Sequence, residues 1–344
     1  MRTKTSLFTS ALSTLLCIAT LGSSVLVGGC KSNGSSSGPR IAYITNGVAS
    51  FWTIAKAGAE AAGRDLQTQV SVHMPAEGIA DQKRIIEDLL IKGVDAIAIS
   101  VIDAENQTAL LNEAARSTRL ITQDSDAPKS DRLAYIGMDN YEAGRLLGKL
   151  IKESLPNGGQ IALFIGRVEQ DNARKRRQGT IDEVLERTPD PSRYDPPGSP
   201  ISNGTFTFLV TLTDQFDRVK AKANCEDAIL RYPELDAVVG LFAYNTPACL
   251  EALKQTGKSG DIKVFSFDEA DETLQAIKDG IAVGTIVQNP YEYGYRSVQM
   301  LKEVLSGNTA VIPQSKFVNI PAQRIDRSNV ESYWADLRSK LNTK

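Results

Sequence analysis

Two carboxylates, Asp124 and Asp268, each follow a short run of β-branched and aromatic residues, Arg119 to Thr122 and Ile262 to Phe267. Asn245 follows a similar run, Ala237 to Leu241, and Gln288 follows Val283 to Val287. Arg174 opens a charged stretch, and Phe216 opens another helical pattern with Tyr244 close to Asn245. Carboxylates and amides exchange several hydrogen bonds with vicinal hydroxyls, and a guanidinium adds a fixed fork of donors. The adjacent aromatics Phe51 and Trp52, with Phe216, offer flat apolar faces for the C–H side of a ring. The set suits a neutral polyol held in a cleft. Each member also has a plainer reading. Polar residues after strands cap helices or make turns, Arg174 within Arg174-Lys175-Arg176-Arg177 can belong to a solvated face, and Phe51 and Trp52 can pack into a core.

Other chemistries find less support. Asp124 and Asp268 can be read as an acid/base pair for glycosidic chemistry, but sequence spacing does not set a carboxyl separation. His73 is the one histidine, which speaks against a catalytic triad, a His-based metal site and structural zinc. No Gly-x-Gly-x-x-Gly follows the first strand and no Walker lysine motif occurs, so a nucleotide cofactor has no basis. The expectation is a binding protein, not an enzyme, with no cofactor and no metal. The apolar fraction of 42% and charged fraction of 23% are ordinary for a globular chain. A net charge of −2, with one short basic cluster, argues against nucleic acid as a partner.

The elements that must position these groups alternate. Ile41 to Thr45 reads as a strand, Asn46 to Ser50 as a loop, and Phe51 to Gly63 as a helix. Strands follow at Val70 to Met74, Ala96 to Ser100, Arg119 to Thr122 and Leu133 to Gly137, with helices at Ile79 to Lys92 and Asn106 to Ser117. The rhythm restarts with a helix at Tyr141 to Ser154. Strands then fall at Gln160 to Ile165, Thr205 to Leu212, Ala237 to Leu241, Ile262 to Phe267, Val283 to Val287 and Ser315 to Asn319. Helices fall at Asn172 to Glu186, Phe216 to Arg231, Pro247 to Gln255, Glu269 to Lys278, Tyr291 to Leu305 and Asn329 to Leu341. Arg187 to Ser202 holds five prolines and reads as an irregular insertion. Alternation with short links predicts parallel sheets covered on both faces. Two successive sets predict two similar Rossmann-like lobes, with strand ends facing each other across a cleft.

The first 29 residues read as a secretory leader. Arg2 and Lys4 form a positive start, Leu7 to Leu26 is apolar and small, and Val27-Gly28-Gly29-Cys30 ends it. That end resembles the bacterial lipoprotein cleavage box, which implies acylation of Cys30 and attachment to a membrane in the cell envelope. Residues 30–39 then form a Gly/Ser-rich tether. Cys225 and Cys249 fall 24 residues apart on predicted helices, as a bridge or as separate thiols.

The motifs SFWTIAKAGAEAAG, ITQDSD, GMDNYEAG, NARKRRQG, FDRVKA, FAYN, VFSFDEADETLQAIKDG and GTIVQNPYEYG together resemble the type I periplasmic sugar-binding proteins over Arg40 to Ile320. Their ribose-binding members are the nearest pattern. The resemblance implies an exported, monomeric, hinged receptor that captures a monosaccharide and delivers it to an ABC-type permease. A receptor presenting sugar to a sensor kinase is the alternative. It implies stacking by Phe51 and Trp52, a hydroxyl acceptor at Asp124, and contacts from Arg174, Phe216, Asn245, Asp268 and Gln288. It also implies three crossings between lobes, near Asp139-Asn140, Gln288-Asn289 and Lys316 to Val318. The first lobe then holds 40–139 and 289–317, the second 140–288 and 318–328, with a final helix in 329–344. Ala49 and Ser125 stand where the ribose pattern has an asparagine and an arginine, and both changes remove hydrogen-bond donors, so the expectation is a larger or differently substituted sugar than ribose, with Asn46, Asp126 or water filling in and Arg167 and Glu169 adding contacts at the second-lobe rim.

Overall fold

A computed structural model describes residues 38–341. The leader, Cys30 and the tether up to residue 37 lie outside the described residues. The first α/β set comprises β1 (Arg40–Ile44), α1 (Ser50–Asp65), β2 (Gln69–His73), α2 (Ile79–Ile91), β3 (Ala96–Ile99), α3 (Ala104–Ser117), β4 (Arg119–Gln123) and β5 (Tyr135–Gly137). The second begins with α4 (Asn140–Ser154), β6 (Gly159–Ile165), α5 (Asp171–Val184), β7 (Ile201–Ser202) and β8 (Phe206–Thr213). It continues with α6 (Arg218–Arg231), β9 (Ala237–Gly240), α7 (Asn245–Gln255), β10 (Lys263–Phe267), α8 (Asp271–Lys278) and β11 (Gly284–Val287). The chain ends with α9 (Pro290–Leu305), β12 (Phe317–Asn319), β13 (Gln323–Asp326) and α10 (Val330–Lys340).

Two sheets result. The first has the order β12-β5-β4-β3-β1-β2 and is parallel throughout. The second has the order β13-β11-β10-β9-β6-β8-β7, parallel at its centre and antiparallel at both edges. Each sheet buries both faces, because successive side chains of a strand point to opposite sides. Ile41 and Tyr43 of β1 enter the layer under α1 and α9, while Ala42 and Ile44 enter the layer under α2 and α3.

Helix packing ties distant segments into each lobe. Helix α9 returns to pack on α1, so closely that a Cβ on Gly294 would run into the Ala55 carbonyl and one on Gly58 into that of Tyr291. Gly144 of α4 and Gly179 of α5 meet the facing backbone in the same way. Helix α10 lays Val330, Tyr333, Trp334 and Leu337 against the second-lobe core, as its apolar stripe predicts.

Several expectations need adjustment. The last crossing lies between β12 and β13, in residues 320–322, because Phe317–Asn319 pairs with β5 of the first sheet. Residues 318 and 319 therefore belong with the first sheet. The sequence reading has no strand at β13, whose four residues carry a single buried apolar side chain, Ile325. Helix α6 begins at Arg218, so Phe216 stands in the preceding loop with φ 67°. The proline-rich segment covers the polar side of α5 instead of looping free. Asp195 accepts from Gln178 and Arg187, and Arg193 pairs with the buried Asp182 at 2.7 Å. The charged helix is thus largely buried, with Arg176, Arg177, Gln178, Asp182 and Glu183 all enclosed.

Candidate functional site

The carboxyl ends of the strands in both sheets converge on one cavity of about 480 Å³. Its lining includes Asn46, Phe51, Trp52 and Asp124 from the first lobe, and Phe216, Phe242, Tyr244, Asp268 and Gln288 from the second. On the first-lobe side, Phe51 and Trp52 open α1 and meet edge to face, with ring centroids 4.8 Å apart. Both are more than nine-tenths buried, and both pack on the core while edging the cavity, so the wall and core readings hold together. The Trp52 indole N–H donates to Asn46 Oδ1 at 3.1 Å. That bond turns the Asn46 amide toward Asp124, which it reaches at 3.5 Å.

Asp124 follows β4 in a left-handed conformation, φ 57°, a region that aspartate tolerates better than most residues. Its carboxylate accepts from Ser100 Oγ at 2.7 Å, and its carbonyl accepts from the Tyr135 hydroxyl at 2.8 Å. Burial pushes the Asp124 carboxyl up to about 7. The Ser100 hydroxyl and the Arg176 charge oppose the rise, and the negative charge of Asp268 adds to it. Behind this wall the buried Gln82 amide donates to the Thr45 and Ser100 carbonyls, both at 2.8 Å, and locks the ends of β1 and β3 together.

The second lobe repeats the device. Asp268 follows β10, again left-handed, with φ 63°. Gln288 Nε2 donates to it at 2.7 Å, and Gln288 is itself held by the Tyr293 hydroxyl at 3.1 Å. Arg176 faces Asp268 at 3.5 Å, donates to the Leu241 carbonyl at 2.7 Å and to Asn140 at 3.1 Å, and lies 3.9 Å from the Phe267 ring centroid. Burial raises the Asp268 carboxyl, and the Arg176 charge pulls it back. The next residue, Glu269, is buried, and burial together with the Asp268 charge raises its carboxyl well above the usual range, with the Tyr333 hydroxyl opposing the rise.

Six of the eight ligand positions read from the sequence meet at the cavity: Phe51, Trp52, Asp124, Phe216, Asp268 and Gln288. Arg174 does not. It is half exposed and pairs with Asp171 at 3.1 Å, one helical turn away. Two residues along an α-helix rotate a side chain by roughly 200°, so Arg176 points inward where Arg174 points out. Asn245 is buried just behind the lining. Its side chain accepts from the Phe242 N–H at 3.1 Å and donates to Asp214 at 2.7 Å, so it shapes the loop after β9. Asp126 is also taken up elsewhere, by Arg132 and Thr122, whereas Asn46 does stand beside Asp124.

Sequence reading missed Asp214, Phe242 and the placement of Tyr244. Asp214 accepts from the Tyr244 hydroxyl, the Asn245 amide and the Phe216 N–H, and burial raises its carboxyl. The three bonds hold Phe216, Phe242 and Tyr244 as one aromatic wall, with Arg167 over the Phe216 ring at 5.4 Å. The signal for Asp214 was its place one residue after β8, the same strand-end position that drew attention to Asp124. Among the described residues, no cluster of His, Cys, Asp and Glu is arranged to hold a metal ion. Cys225 and Cys249 are both buried and unbridged.

Comparison with known proteins agrees with this architecture. A family model described as periplasmic binding protein domain matches residues 41–309. The ribose import binding protein of Escherichia coli K12 is 26% identical over 300 residues, covering 84% of this chain and 93% of that protein. The D-ribose/D-allose-binding protein of Pseudomonas aeruginosa is 22% identical over 302 residues, covering 83% and 88%. Among solved structures, an ABC transporter solute-binding protein from Burkholderia graminis in complex with D-arabinose superposes with a TM-score of 0.77 at 25% identity, covering 86% of this chain and 97% of that one. One from Agrobacterium vitis with bound D-fucose gives 0.76 at 23% identity, covering 87% and 99%. The chain belongs to the periplasmic binding protein domain family, in the type I architecture, and is similar to its ribose-binding members.

Proposed function

We propose that this protein captures a sugar between its two lobes and hands it to an ABC-type permease. The observation that supports it most is the pair of buried carboxylates, Asp124 and Asp268, at equivalent strand ends of the two lobes and lining one cavity. Each retains acceptor capacity beyond its protein donors, and vicinal hydroxyls supply donors in matching pairs. Phe51, Trp52 and Phe216 supply apolar faces for the ring. The proposed contact set is these three aromatics with Asp124, Asp268, Gln288 and Asn46. Lobe closure about the three crossings brings the two halves onto the ligand, as in other hinged receptors. Kinship with proteins named for ribose import supports the transport role. Attachment through an acylated Cys30 belongs to the same proposal, and the mass of the N-terminal peptide tests it.

A thermal-shift panel of pentoses, hexoses, deoxy sugars and polyols tests capture, because a ligand of the native state raises apparent stability. A sugar that raises the melting temperature should also compact the protein in small-angle scattering. A flat panel refutes sugar capture. Delivery is tested by deleting the gene and following uptake of the sugar that binds. Undiminished uptake refutes the transport role and leaves ligand sensing.

A further inference from the structure

The charges around the cleft are uneven. Asp124 and Asp268 are met by Ser100, Asn46, Gln288 and Arg176, as described above. The cavity lining also carries two arginines, half-buried Arg167 in the loop after β6 and Arg218 at the start of α6, exposed at the cavity mouth. Among the described residues neither is in a salt bridge, and Arg218 has no polar partner. The Arg167 guanidinium lies over the Phe216 ring at 5.4 Å, and its Nε is buried with no acceptor. Asp103 of the first lobe attracts Arg167 from beyond ion-pair distance and already accepts from Asn106. Asp214, a buried acid that anchors the second-lobe wall, is taken up by Tyr244, Asn245 and the Phe216 N–H. The one other acid in the lining is Glu77, exposed on the first-lobe rim.

Guanidinium groups without carboxylate partners on a cavity wall are suited to bidentate carboxylate or phosphate recognition. The space also fits an extended ligand, since about 480 Å³ exceeds what one pyranose ring fills. We infer that the ligand is a sugar carrying an anionic group, a carboxylate or a phosphate, held by Arg167 and Arg218 beside the Phe216–Tyr244 wall. The inference rests on the sugar-capture reading and narrows its substrate class.

The test is calorimetry of the full protein with matched pairs: D-glucose against D-glucuronate and glucose 6-phosphate, D-galactose against D-galacturonate, and D-ribose against ribose 5-phosphate. At least one acid or phosphate should bind about ten-fold or more tightly than its neutral parent, the gain expected of charge-assisted hydrogen bonds. The carboxylate and phosphate arms separate the two anion types. The preference should fall with added salt and collapse in the Arg167→Gln, Arg218→Gln double variant. Both positions lie at the cleft edge, and an unchanged melting temperature of the ligand-free variant checks its fold. Neutral parents binding as tightly as their anionic partners overturn the inference and leave sugar capture standing. A preference that survives in the double variant also overturns it. Absence of binding by every member, neutral and anionic, overturns the sugar-capture reading itself, and this inference with it.

Discussion

Replacing Asp124 by asparagine should stabilise the ligand-free protein in neutral and alkaline solution while weakening its hold on ligand. Burial moves the Asp124 carboxyl from an ordinary 3.8 to about 7. Its folded value is thus raised above its unfolded one. The stability it contributes is fully present below about pH 4 and is lost as pH rises through about 7. At about 1.4 kcal/mol per pH unit, the loss across that window is about 4 kcal/mol. An asparagine carries no such charge. Its amide oxygen can still accept from Ser100, and it tolerates the left-handed backbone at this position. Urea unfolding of wild type and variant at a series of pH values reads the effect. Glu269 and Asp268 are raised in both proteins, and removing the Asp124 charge also relieves its repulsion of Asp268, which acts in the same direction as the main effect. The variant should match wild type near pH 4 and gain by up to about 4 kcal/mol by pH 8. A difference that stays flat from pH 4 to 8 refutes the idea that desolvation governs Asp124. Calorimetry with the sugar that binds should show weaker binding by the variant, since its amide accepts fewer hydroxyl donors than a carboxylate does.

Two further substitutions probe what holds the site. Arg176→Met removes a fully buried cation, so that Asp268 loses its counter-charge and the Leu241 carbonyl and Asn140 lose a donor; chemical denaturation should show a loss of about 3 kcal/mol. Arg174→Met, on the exposed side of the same helix, should change stability by under about 1 kcal/mol in the same experiment. Gly294→Ala drives a methyl into the Ala55 carbonyl where α9 packs on α1, and overpacking of this kind should lower stability by about 3 kcal/mol in thermal or urea unfolding.

The alternation of strands and helices was legible because parallel strands buried on both faces read as short continuous apolar runs, such as Ala96–Ile99. Strand-end positions of Asp124 and Asp268 followed directly from that alternation. What escaped depended on backbone geometry that side-chain type does not encode. Arg174 and Arg176 have the same chemistry, and only the phase of α5, which begins at Asp171, tells which faces inward. Phe216 looked like a helix start, but Gln215 and Phe216 both adopt positive φ and lift the ring out of the helical path. The late crossing was misplaced because β13 is short, polar and antiparallel, and its one buried apolar residue makes no periodic pattern. The proline-rich insertion was legible as irregular. Its role over α5 was not, because it acts through Asp195 and Arg193, charged residues that local composition assigns to solvent.

The three buried carboxylates near the lobe crossings divide into two kinds, and the division bears on how binding is driven. A carboxylate offers about four acceptor positions. Asp124 spends part of that capacity on one hydroxyl and one amide, and Asp268 spends part on one amide and a guanidinium. Both point into the cavity, and both are raised by desolvation. Hydroxyl donors from a ligand favour the ionised form, so binding should release protons in weakly acidic solution and tighten as pH rises toward about 7. Glu269 stands apart. It lines a separate cavity of about 100 Å³ beneath the crossings, among Gln288, Asn289, Pro321 and Tyr333, and burial with the Asp268 charge raises it. The neutral acid suits that position, because a third negative charge beside Asp268 would raise the energy of ionising the cleft.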